Sequence, residues 1–279
     1  MGLSLRELQL LNESEFSVEK ARAELDALTT WFCEQPEQEH YLTVALQNTR
    51  KLPVSIGKEQ KVFFVNDEMT VAWLPEDFQS EALGFVKSGR VLYAGRLVYP
   101  VMDVKGHVMG FCGWDNAIQP KYLDSTNQGY KAKMTTLYGM EKLSEYYKSN
   151  EPVYIVEGIV CCLYLRSKGF QALAVLGSHL SPYVISILRR FGRRLIVIPD
   201  NDVVGKEIGV INTSRPSGEG FVQQVKRALP KAIVIQSVIA KDVDDTRLLE
   251  EGKFEKQFLY ELKQIAVCPF IVFEIVRVR

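Results

Sequence analysis

From residue 152 onward the chain alternates short apolar runs with amphipathic stretches, and no other feature limits its folding options as much. Val153–Val156, Ala172–Leu176, Leu195–Ile198 and Ile233–Ile239 are rich in β-branched and aliphatic residues. A helix is predicted after Gly158 through about Lys168, and another from about Ser181 to Arg190. Continuous apolar strands separated by helices indicate a parallel sheet covered on both faces, a doubly wound α/β unit. Such a sheet gathers its chemistry at the C-terminal ends of its strands. Three of these four runs end in carboxylates: Glu157 after the first, Asp200 and Asp202 after the third, Asp242 and Asp244 after the fourth.

If those strands are neighbours, the carboxylates converge on one rim. Several anions in one cleft repel strongly unless a cation sits among them. An oxygen-only donor set selects Mg²⁺ or Mn²⁺ over zinc. Singly, each signal has a plain alternative: a lone Asp-x-Asp is usually a capped turn, and Asp242–Asp245 could cap a helix starting near Thr246. The joint placement, each carboxylate at a strand end within one α/β unit, favours metal binding.

The preceding residues have a different texture. Between about 52 and 115 lie short β-rich runs, Val62–Val65, Val71–Leu74, Val91–Tyr93, Leu97–Val101 and His107–Cys112, with Asp103–Gly106 marking a hairpin turn. Residues 116–150 are polar and then helical. Residues 1–50 read as helices, with Ser17 as the cap of a segment Val18–Phe32. Nine acidic and four basic residues in those fifty predict an outer, solvated element or docking face, away from nucleic acid. The expected division is therefore 1–50, 51–150, 151–252 and a short end segment 253–279.

The chain has 34 basic and 34 acidic residues, which argues against a tail-driven nucleic-acid binder but not against a local basic groove. Five cysteines, with no paired Cys-x-x-Cys motifs, encode no zinc ribbon. With no signal peptide or membrane span, a reducing cytoplasm is the expected setting. The apolar stretch Ala266–Val276 is interrupted by Pro269 and Glu274 and is too short to cross a bilayer. His40, His107 and His179 fall in separate segments; His107 is expected to be an exposed turn residue, and His179 to lie near the rim.

"VYIVEG" (Val153–Gly158), "VLGS" (Val175–Ser178), "IVIPDNDVVG" (Ile196–Gly205) and "KDVDD" (Lys241–Asp245) together resemble a TOPRIM domain. That Rossmann-like module is shared by topoisomerases, DnaG-type primases and some nucleases. The segment before it separates these families. "GRLVYPVMDVKGHVMGFCGW" (Gly95–Trp114), "PKYLDS" (Pro120–Ser125) and "KMTTLYGM" (Lys133–Met140) resemble, in order and spacing, the block preceding TOPRIM in bacterial-type primases. The resemblance spans about residues 90–252. It implies an α/β fold: a TOPRIM domain preceded by an α+β primase N-terminal subdomain.

The implied function is a bacterial or phage DNA primase, a nucleotidyltransferase that makes short RNA primers on single-stranded DNA from ribonucleoside triphosphates. Glu157, Asp200 and Asp202 would be catalytic and, with Asp242 and Asp244, would hold Mg²⁺ or Mn²⁺ with no zinc. Arg96, Lys121, Tyr122 and Lys133 would contact nucleotide or nucleic acid, with Trp114 as a second ring able to stack on bases or fill the hairpin core. The arginines at 189, 190, 193 and 194 form the densest basic cluster and are expected at a solvated helix end. Cys161 stands where primases usually carry an Asp four residues after the TOPRIM Glu. The zinc-binding module and helicase-binding domain are not recognisable, so a replicative helicase and a separate zinc-binding primase subunit are expected partners. The rival readings are a TOPRIM nuclease and a degenerate TOPRIM adaptor within a replisome.

Overall fold

The computed structural model describes residues 5–125, 137–176, 180–200 and 221–234. Two compact units divide between residues 132 and 133.

The first unit is built on an antiparallel sheet. Its strands are β1 (Phe63–Val65), β4 (Arg96–Met102), β5 (Val108–Trp114) and β6 (Tyr122–Asp124), in that order across the sheet. A small separate ribbon pairs β2 (Val86–Lys87) with β3 (Arg90–Val91). Every residue of β4 is buried, because the strand is covered on both faces. A long helix, α1 (Leu5–Cys33), lies against this sheet through Leu25, Leu28 and Phe32, a spacing that puts all three on one helical face. The Phe32 ring stacks on Phe63 at 4.6 Å between centroids and also meets Phe85. Asp26, on the same helix, accepts a hydrogen bond from the Val108 amide at 2.8 Å and lies 2.9 Å from His107 Nδ1, pinning the start of β5. His107 is therefore a pairing residue and not merely exposed. The amino-terminal segment is likewise no outer element: α1 supplies part of the core. Ser17 lies inside α1 instead of capping it.

Helices α2 (Gln38–Leu42) and α3 (Val54–Glu59) follow, joined by a π-helical turn at Thr43–Thr49. The buried Gln38 amide donates to the Phe64 carbonyl (2.8 Å) and accepts from the Phe64 amide (2.7 Å). One side chain thus satisfies both backbone groups of Phe64 on edge strand β1, where another strand would otherwise be templated. The predicted strand at Val71–Leu74 is a 3₁₀ turn, Val71–Trp73, in which the Trp73 and Leu74 amides bond back to Thr70 and Val71. Pro75 follows directly; Leu74 is buried in the core and Val71 packs against it, while Trp73 is 58% exposed, so the run anchors to the core as a turn instead of pairing as a strand.

The second unit holds the parallel sheet. Strands β7 (Leu137–Tyr138), β8 (Val153–Val156), β9 (Gln171–Val175), β10 (Leu195–Ile198) and β11 (Ile233–Val234) are arranged β11-β10-β8-β9-β7. All pairings are parallel except that of β7 with β9. Helices α4 (Leu143–Lys148), α5 (Ile159–Ser167), α6 (Pro182–Arg189) and α7 (Phe221–Ala228) accompany these strands. Ser181 caps α6, its hydroxyl accepting from the Val184 amide at 3.2 Å, with Pro182 at the first helical position. Because β7 pairs with β9, residues 137–150 belong with the parallel sheet; the unit boundary therefore lies earlier than the expected 150/151. Within this unit, Arg166 ties residues 139–141 to β9. Its buried guanidinium pairs with Glu141 at 2.9 Å and donates to the Ala172 and Gly139 carbonyls. Gly139 sits at φ +94°, and a Cβ there would collide with that guanidinium.

Candidate active site

The rim is set by register. β8 and β10 are parallel neighbours with Val156 level with Ile198, so the residues that follow them emerge side by side. Glu157 leaves β8 directly, and Asp200 follows β10 after Pro199. The Asp200 amide donates to Glu157 Oε1 at 3.1 Å, joining the two strand ends through the carboxylate itself. Both residues are half-buried. β11 lies on the other side of β10, so the strand preceding Asp242 and Asp244 is the next neighbour along the same sheet. The order β11-β10-β8 puts the three carboxylate-bearing strands adjacent, the condition on which their convergence depends. Asp202, Asp242, Asp244, Lys133 and His179 lie outside the described residues.

Among the described residues no group of three or more His, Cys, Asp or Glu gathers in a way that could hold a metal ion. The two acidic residues described at the rim, Glu157 and Asp200, offer hard oxygen donors, which fits Mg²⁺ or Mn²⁺ in chemistry. Cys161, one turn into α5, is 3% exposed, and its Sγ stands 3.5 Å from where a Cβ on Gly158 would be. A buried thiol therefore lies against the Glu157–Gly158 turn. Its neighbour Cys162 is fully buried, and burial pushes that thiol up to about 12.

In the first unit the basic residues differ in kind. Arg96 is only 3% exposed; its Nη1 donates to the Lys121 carbonyl at 3.3 Å. The Asp115 amide donates to the same carbonyl, and the Asp115 carboxylate accepts from the Ala117 and Ile118 amides. These bonds close the loop that carries the cis Gln119–Pro120 bond and present Lys121 and Tyr122 outward. Tyr122 is 44% exposed, with Lys121 Nζ 6.0 Å from its ring centroid. Of the expected contacts, Lys121 and Tyr122 face solvent, whereas buried Arg96 is placed to orient their loop. Arg96 is buried and holds a backbone partner in this structure.

Trp114, level with Tyr122 across β5 and β6, is buried beneath Arg50, whose guanidinium carbon lies 3.9 Å from the indole centroid. Nothing local in the sequence marks Arg50, one base in an acidic segment; an Arg opposite a distant Trp leaves no local pattern. The backbone at Gly113 passes so close that a Cβ would stand 2.5 Å from the Tyr93 ring and 3.1 Å from Arg96 Cδ, which accounts for glycine there.

Residues 77–144 match the family of the DNA primase catalytic core, N-terminal domain. The chain superposes on a solved DnaG catalytic core with a TM-score of 0.67 at 22% identity, covering 88% of this chain and 79% of that one. This is the fold of a DnaG-type primase core. A DnaG primase catalytic domain bound to single-stranded DNA matches equally, with a TM-score of 0.67 at 21% identity over 90% of this chain and 80% of that one. In sequence, the DNA primase of Legionella pneumophila is 32% identical over 118 residues, 41% of this chain and 20% of that protein. The chain spans about a fifth to a quarter of the length of the first curated relatives it matches. The primase-core fold agrees with the α/β class expected from the strand and helix alternation.

Proposed function

We propose that this chain synthesises short RNA primers on single-stranded DNA by divalent-metal-dependent nucleotidyl transfer. The observation that carries the proposal is the Glu157 carboxylate bonded to the Asp200 amide at 3.1 Å, where two adjacent parallel strands end. Relatives named DNA primase and a DnaG domain bound to single-stranded DNA supply the activity and the template.

Glu157, Asp200 and Asp202, with Asp242 and Asp244 from the neighbouring strand, would hold Mg²⁺ or Mn²⁺. When bound, such ions lower the pKa of an attacking hydroxyl and neutralise charge on the triphosphate. The chain's own groups bind and orient. Lys121 and Lys133 hold phosphates, Tyr122 offers a ring on which a base can stack, and Arg96 fixes the loop bearing Lys121. Phosphoryl transfer asks little covalent work of side chains, so positioning and charge neutralisation provide most of the acceleration. A replicative helicase and a zinc-binding primase subunit are the proposed protein partners, and the cytoplasm of a bacterial cell, with the chain encoded by the bacterium or by a phage, is the proposed setting. Among the described residues no helix is long and apolar enough to cross a membrane.

The test incubates the protein with random single-stranded DNA, labelled ribonucleotides and Mg²⁺. Labelled oligoribonucleotides are expected, and both Glu157→Ala and Asp202→Ala should abolish them. Shortened DNA without primers would instead establish a nuclease. Failure to bind Mn²⁺ at millimolar levels in calorimetry would favour an adaptor.

A further inference from the structure

The end of the parallel sheet away from the carboxylates has a surface that nucleotidyl transfer does not use. Residues 180–195 and 221–234, which form α6, α7 and the starts of β10 and β11, contain seven bases and no acid. Part of this charge serves the fold. Arg194 Nη1 donates to the carbonyls of Tyr146, Ser149 and Glu151, and the Arg190 guanidinium stacks 4.5 Å above the Tyr147 ring. Arg189 Nε donates to the Ala228 carbonyl at the end of α7. Cations at helix C-termini are also favoured by the helix dipole.

A pocket remains among these groups. It encloses about 260 Å³, and its walls include Leu188, Leu195, Leu229 and Pro230, with Arg189 and Lys231 also lining it. Both bases are exposed. The volume falls just below the roughly 300–1,000 Å³ of drug-sized ligand sites and suits a single large apolar side chain. Its chemistry is therefore double: an apolar hollow for an anchor and positive charge beside it.

We propose that this pocket docks an acidic segment of another protein, which inserts one large apolar side chain while flanking carboxylates meet Arg189 and Lys231. Charge complementarity selects the partner. Arg189 and Lys231 beside the hollow attract an acidic chain and speed its encounter, and a buried apolar anchor supplies most of the energy at such contacts. A nucleic-acid strand matches less well. Its phosphates would satisfy the bases, but the pocket lining offers no aromatic ring for stacking, and the apolar hollow would gain nothing.

The test measures fluorescence anisotropy of a labelled short peptide, a Phe-Leu step flanked by aspartates, titrated with the full chain. Saturable binding is expected, weakened about tenfold by Lys231→Glu and about tenfold by replacing Phe-Leu with Ser-Ser, the scale of losing one anchor. Lys87→Glu, an exposed change in the first unit, should leave binding unaltered, and primer synthesis should be unchanged in Lys231→Glu. Equal affinity for the Ser-Ser peptide would overturn the proposal. So would displacement of the peptide by oligothymidylate whose own binding is equally sensitive to Lys231→Glu, which would make the surface a nucleic-acid site. Failure of the full chain to bind the peptide would also overturn it.

Discussion

The two sheets use charge in opposite ways. In the parallel sheet Glu157 and Asp200 stand past the strand ends, half-buried, with the Asp200 amide donating to the Glu157 carboxylate. In the antiparallel sheet a base, Arg96, is drawn inside and tied to a backbone carbonyl, leaving Lys121 and Tyr122 to face solvent. A parallel sheet keeps its backbone satisfied along the strands and releases side chains at one rim, where a carboxylate can bridge neighbouring strand ends and still offer an oxygen outward. An antiparallel hairpin must hold a loop in shape before that loop can present anything, and an arginine with several donors suits that work.

The contrast is broken most severely at the rim. Glu157→Ala should lower primer synthesis by about a hundredfold or more, the scale of removing one preorganised electrostatic group, with the unfolding midpoint in urea nearly unchanged; a residual rate near wild type would remove Glu157 from the chemistry. Next in size is the buried ion pair of Arg166 and Glu141. Arg166→Ala leaves Glu141 buried without its charge partner and should destabilise the chain by about 3–5 kcal/mol in denaturant titration, whereas Lys142→Ala, with its exposed 3.9 Å pairing to Glu145, should cost under about 1 kcal/mol.

The sharper discrimination is between neighbours in the first unit. Arg96→Ala should cost about 1–3 kcal/mol through lost packing and the lost hydrogen bond. Lys121→Ala should leave stability intact and reduce the salt slope of single-stranded DNA binding by about 0.7, the increment for one phosphate contact. Equal stability losses for the two would erase the distinction. The smallest effect concerns Cys162. Its folded thiol is raised from 9.0 to about 12 by burial. Its contribution is thus complete below the unfolded value and declines as pH rises from about 9 toward 12, because only the unfolded thiol ionises there. Cys162→Ala should flatten that part of the stability profile; an unchanged slope would contradict the burial argument.

Legibility in the sequence follows the same division. Val153–Val156 and Leu195–Ile198 are read to the residue, because strands covered on both faces are continuous apolar runs bounded by polar ones. Ser181 and Pro182 mark the start of α6 for equally local reasons. Val71–Leu74 has the composition of a strand yet forms a turn, since a short run is decided by what lies opposite it. Glu157 and Asp200 were visible as strand-end carboxylates, but the hydrogen bond between their segments depends on the β8–β10 register, which composition does not encode. The roles of Arg96 and Asp26 were hidden for a related reason: each contact depends on a partner at least 25 residues away.

The most direct trial of the carboxylate rim is calorimetric titration of Mn²⁺ into the protein and into Glu157→Ala, both checked for folding. Saturable binding in the millimolar range or tighter by the parent chain, lost in the variant, is the expected result. Identical isotherms for the two proteins, or no binding by either, would contradict a cation held at the ends of β8 and β10.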